Sequence, residues 1–131
     1  MFPETERFSE PEFLGQGALG TAYKALDADT DSVVVIKVLN PAPPWALYRL
    51  QSEFPSLQSL SHRNLVSVLE LDDSSEPWFL TMAHVEGVRL SSWLAENPGQ
   101  AALREVFCQL TRGLMALHEH GLIHRNLKPS N

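Results

Sequence analysis

The chain has 131 residues, room for one ordinary domain or a small lobe with an appendage. Its 44% hydrophobic and 20% charged residues are the balance of a globular protein, and a net charge of −6 without any Lys/Arg cluster excludes a nucleic-acid surface. The single cysteine, Cys108, excludes an internal disulfide and a thiolate metal site; its apolar helical setting predicts a buried small hydrophobe.

The opening "MFPETERFSEPEF" has acids and prolines where a signal peptide would have a basic stretch and an apolar core. The most apolar run, Val33 to Leu39, is short and broken by Lys37, so no membrane span is expected, and a cytoplasmic location follows as the expectation. "FLGQGALGTAYKALD" (Phe13–Asp27) reads as strand, glycine turn, strand, and "DADTDS" (Asp27–Ser32) as a turn of residues that bond their own backbone. "SVVVIKVL" (Ser32–Leu39) is dense in β-branched residues and reads as a buried strand; "NPAPP" is a loop or a helix lead-in.

From Trp45 to Leu60, Leu47, Leu50, Phe54, Leu57 and Leu60 recur at helical spacing, with Pro55 predicting a kink or restart near Phe54. "NLVSVLELDD" (Asn64–Asp73) and "PWFLTMAHV" (Pro77–Val85) read as two more strands. A short helix is expected over Leu90 to Glu96. A long one follows from about Ala101 to His120, with Leu103, Val106, Phe107, Leu110, Leu114 and Leu117 along one face and Gly121 closing it. Strands with one helix first and helices afterwards make an α+β arrangement of two segregated parts.

Gly15, Gly17 and Gly20 form G-x-G-x-x-G, a weak signal alone. A dinucleotide fold would need a helix to start there. "TAYKALD" is strand-like instead, so the glycines bridge two strands, either as an ordinary hairpin or as a turn whose amides approach phosphate oxygens. Lys37, at the end of "VVVIK", needs a partner for its charge, and Glu53 on the next helix is the candidate; the bland alternative is an edge lysine reaching water.

Glycine turn, "VVVIK", a helix with Glu53, "HRNLV" (His62–Val66), "TMAHVEG" and "HRNLKPSN" occur in the order of a eukaryotic-type protein kinase, which the chain resembles from about Phe8 to Asn131. Lys128 resembles the Ser/Thr branch, and the phrasing "EFPSLQSLSHRNLV" bacterial members. The resemblance implies a five-stranded antiparallel N-lobe with one helix (8–82), a hinge (83–89) and the first helices of a C-lobe (90–131). It implies ATP held by Leu14, Gly15, Gly17, Gly20, Ala22, Val35, the Lys37–Glu53 pair, gatekeeper Met82, and Ala83 and Val85 of the hinge, where His84 faces solvent. Lys128 would steady the γ-phosphate and Asn131 would hold magnesium with an aspartate that this sequence does not contain. Ala22 and Val35 depart from the valine and alanine that the family favours there; the exchange roughly conserves volume.

Asn126 stands where the family has the aspartate that accepts or orients the substrate proton. No D-F-G is present, so the expectation is a chain truncated inside the catalytic loop and inactive as a phosphotransferase, with magnesium held weakly at best. Its long helix, short of neighbours, is expected to self-associate or to bind a protein partner. Three readings stand side by side: a nucleotide-binding part of a Ser/Thr kinase, a non-catalytic pseudokinase interaction module, and a gene remnant.

Overall fold

The computed structural model describes residues 2–3, 5–74 and 76–129. Five strands, β1 (Phe8–Gly17), β2 (Gly20–Asp27), β3 (Ser32–Leu39), β4 (Val68–Asp72) and β5 (Phe79–Ala83), form one antiparallel sheet in the order β1-β2-β3-β5-β4. Helices α1 (Pro44–Ser59), α2 (Leu90–Ala95) and α3 (Gln100–Glu119) complete the fold. Backbone contacts divide the chain into two units. The first runs to Ser59 and resumes over Val66–His84; the second joins Leu60–Leu65 to the residues from Val85 onward.

The strands form where β-branched residues meet a clean two-residue period. In β3, Val34, Ile36 and Val38 are buried, while Val33 is exposed and Val35 and Lys37 are half-buried on the other face. The strand is therefore buried on one side only, rather than on both as the apolar run suggests. With Phe8 and Ala25 these three make the core of the sheet, and Phe79 packs edge-on against Phe8. At the β2–β3 turn, the Asp29 N–H donates to Asp27 Oδ1 at 3.1 Å, the local bond that the turn composition anticipates.

Helix α1 begins at Pro44, whose missing N–H costs nothing in a first turn, and runs through Pro55 to Ser59. The expected restart near Phe54 is not there. Phe54 is buried and α1 packs on β4, so tertiary packing holds the last turn across the single missing backbone donor. Strand β4 starts later than the sequence suggests because Asn64 and Leu65 are held in a turn: the Asn64 N–H donates to His62 Nδ1 and the Leu65 N–H to the His62 carbonyl.

Helix α3 follows the apolar period. Gly121 (φ +72°) ends it, and the Leu122 N–H donates back to the Leu117 carbonyl at 3.0 Å. Gly113 has a packing reason: a Cβ there would lie 2.9 Å from the Asn64 carbonyl oxygen. Cys108 is exposed, not buried. One turn to either side of it stand Arg104 and Arg112, both exposed, so it belongs to the polar face.

Candidate nucleotide site

Cross-strand register decides which side chains of the sheet meet. Ala22 pairs with Lys37 and Lys37 with Leu80; Lys24 pairs with Val35 and Val35 with Met82. Directly paired residues point to the same side of an antiparallel sheet. Ala22, Val35, Lys37 and Met82 therefore share one face, opposite the Val34, Ile36 and Val38 core. Gly15 is registered against Ala22, at the edge of the same row.

The glycine segment is a tight hairpin. Gly17 pairs with Gly20, leaving Ala18 and Leu19 as the turn. Gly20 is required by packing: at φ +151°, an added Cβ would sit 2.0 Å from the Val38 carbonyl oxygen of β3. Among the described residues nothing lies within 4 Å of a Cβ built on Gly17. Asn40, which sequence reasoning missed, fixes the tip to the end of β3. Its Nδ2 donates to the Ala18 carbonyl at 3.0 Å and the Gly17 carbonyl at 3.3 Å, and its N–H donates to the Leu19 carbonyl at 3.1 Å. An Asn directly after a strand and before prolines was the available signal.

On α1, Glu53 Oε1 accepts from Arg49 Nε at 2.8 Å, an i,i+4 pair whose side chains are 32% and 45% exposed. Ala83 ends β5, and its N–H donates to the Ser67 carbonyl at 2.9 Å. A second charged cluster was invisible in the sequence. The Arg7 guanidinium grips Asp27 through two bonds of 2.7 Å and reaches Glu70 of β4 at 2.6 Å. Asp27 is 2% exposed, and the Arg7 bonds hold its carboxyl down at about 2 against the opposing cost of burial. The same bonds, to Asp27 first and then Glu70, hold the Arg7 guanidinium above its ordinary value.

In the second unit, Val85 is exposed. Leu122 is buried at the start of the loop that carries Asn126 and Lys128, and the Ser91 N–H of α2 donates to the Pro129 carbonyl at 3.0 Å. Between these anchors Arg125 is left-handed (φ +57°), and the Asn126 N–H donates to the His124 carbonyl at 2.8 Å. Asn131 lies outside the described residues. Among the described residues no group of three or more His, Cys, Asp or Glu gathers as a metal site. A cavity of about 790 Å³ does occur in the first unit, but its lining includes none of the glycines, Lys37 or Met82.

Residues 8–131 match the family described as "Protein kinase domain". Among curated proteins, the serine/threonine-protein kinase Pkn1 of Myxococcus xanthus is 31% identical over 90% of this chain and 18% of its own length. The mitogen-activated protein kinase sty1 of Schizosaccharomyces pombe is 32% identical over 99% of this chain and 38% of its own length. The probable serine/threonine-protein kinase PknB of Lactococcus lactis is 28% identical, over 96% and 21% respectively. This chain belongs to the protein kinase domain family, and it spans well under half the length of these relatives. Members of the family use ATP and magnesium. No helix among the described residues is long and apolar enough to cross a membrane.

Proposed function

We propose that the chain binds ATP on the Lys37 face of its sheet, as a kinase domain of the Ser/Thr branch, and that Asn126 leaves it impaired in phosphoryl transfer to protein Ser or Thr. The observation that supports this most is the register that aligns Ala22, Val35, Lys37 and Met82 on one face beside the glycine hairpin. In this reading Ala22 and Val35 form one wall of the adenine pocket with Leu14, and Met82 backs it. The Ala83–Val85 backbone bonds the adenine edge, so residues 8–82 act as the nucleotide lobe, 83–89 as hinge and 90–131 as the start of the second lobe. Amides of the Gly15–Gly20 hairpin approach the phosphates. Lys37 neutralises the α- and β-phosphates and Glu53 steadies its ammonium group, with Arg49 competing for the same carboxylate. Lys128 lies in the loop that would meet the γ-phosphate.

Asn126 carries the second half of the proposal. A carboxamide oxygen is a far weaker base than a carboxylate, and losing a general base costs about 10²–10⁴ in rate.

The test is calorimetric titration with ATP, with and without magnesium. A charged hydrogen bond contributes about 1.5–3 kcal/mol, so Lys37→Ala is expected to weaken binding by at least about tenfold. Equal affinity of Lys37→Ala and the parent chain overturns the nucleotide reading. The second half is tested in a chimaera that joins this chain to the D-F-G segment and second lobe of a family member; turnover there that fails to rise in Asn126→Asp overturns it.

A second reading, as an interaction module, is favoured by α3, where Phe107 is 50% and Met115 54% exposed. It predicts self-association in sedimentation at tens of micromolar; a monodisperse monomer there opposes it.

A further inference from the structure

The cavity of about 790 Å³ in the first unit plays no part in the nucleotide proposal. Its floor is aromatic, built from Phe8 of β1, Phe54 of α1 and Phe79 of β5. Phe79 is registered against Val38, on the sheet face opposite Lys37, and stacks edge-on with Phe8 at 5.9 Å between centroids. The mouth is acidic: Glu70, Asp72, Asp73 and Glu76 line it, and among the described residues Arg7 is the single cationic side chain of the lining. Arg7 is already committed to Asp27 and Glu70.

That leaves the charges of Asp72, Asp73 and Glu76. Asp72 Oδ1 accepts from the Ser74 N–H and hydroxyl, and Asp73 Oδ2 accepts from Gln51 Nε2 at 2.6 Å. Neutral donors orient a carboxylate without cancelling its charge. The cavity therefore combines an apolar aromatic floor with a negative mouth that Arg7 alone offsets among the described residues, within the volume range of ligand sites (roughly 300–1,000 Å³).

We propose that this cavity docks a short basic segment of a partner protein. One aromatic or branched aliphatic side chain of the segment enters between Phe8, Phe54 and Phe79. Lys or Arg beside it meet Asp72, Asp73 and Glu76. Phosphate-bearing and acidic ligands are repelled by the same carboxylates. A second copy of this chain is a poor occupant, because its ten Lys and Arg form no cluster.

The experiment is fluorescence anisotropy on the 131-residue chain with three labelled peptides: Lys-Arg-Phe-Arg-Lys, Lys-Arg-Ser-Arg-Lys and Glu-Asp-Phe-Asp-Glu. The first is expected to bind at micromolar concentration, more weakly as salt rises, and each of the others at least about tenfold less tightly. The double reversal Asp73→Lys with Glu76→Lys changes exposed side chains only. It is expected to weaken the first peptide by about tenfold or more, whereas Glu119→Lys on α3, a charge reversal elsewhere, is not. Equal binding of the three peptides, no binding of the first at millimolar concentration, or an affinity indifferent to the double reversal overturns the proposal. None of these readouts involves ATP, so the nucleotide reading stands or falls separately.

Discussion

Asp27→Asn keeps the shape of the side chain and removes the charge that Arg7 grips. The Asp27 carboxyl falls from an ordinary 3.8 to about 2 in the folded chain, chiefly through the Arg7 bonds. At about 1.4 kcal/mol per pH unit this linkage amounts to about 2 kcal/mol of stability. The sign follows from the direction. A carboxyl held below its unfolded value stabilises the fold at every pH above about 4, and that contribution drains away as pH falls toward about 2. The carboxamide of the Asp27→Asn variant has no proton to take up, so that variant lacks both the contribution and its pH dependence. Urea unfolding of the two chains at pH 7, 5, 4 and 3 measures the difference. A gap of about 2 kcal/mol at pH 7 that narrows below pH 4 is expected, the other carboxylates being common to both chains. A gap that is the same at pH 7 and pH 3, or below about 0.5 kcal/mol throughout, refutes the coupling of Arg7 and Asp27.

Gly20→Ala forces a methyl group to 2.0 Å from the Val38 carbonyl oxygen, so β2 and β3 must part, and thermal unfolding is expected to show a loss of about 3 kcal/mol or more. Gly113→Ala gains about 1 kcal/mol of helix propensity but presses on the Asn64 backbone, where overpacking costs about 1–3 kcal/mol; a net loss is expected, and a rise in Tm refutes it. Thr81, 1% exposed, has a side-chain oxygen without a hydrogen-bond partner among the described residues, so Thr81→Val is expected to be neutral or stabilising by up to about 1 kcal/mol in urea.

Much of the fold was legible because local composition and tertiary demand agree. The β-branched run of β3 ends at turn residues on both sides, and the period of α3 is closed by a glycine. Pro55 misled as to a restart of the helix, since a proline near a helix end removes one bond that packing on β4 outweighs. Cys108 misled because its apolar neighbours in sequence are not its neighbours on the helix; the arginines four residues away on each side were the better guide. Within the candidate site, the glycines and Lys37 announce themselves, and alternation along the strands is enough to align them with Ala22, Val35 and Met82. Arg7, Asp27 and Glu70 could not be paired in advance. Positions 20 and 63 apart in sequence meet only after the sheet is formed, and a lone surface-type arginine carries no mark of its partner.

The strand order sets a timetable for the nascent chain. Strand β3 is complete at Leu39, yet the strand that occupies its other side begins only at Phe79, forty positions on (79 − 39). At a synthesis rate of about 5–20 residues per second, that flank of β3 waits about 2–8 s for its proper mate. Through that interval it is a row of unsatisfied amides and carbonyls beside Val34, Ile36 and Val38, a template for a neighbouring ribosome's product. Chains stalled or cleaved between these two strands are the species that a holdase chaperone would meet first.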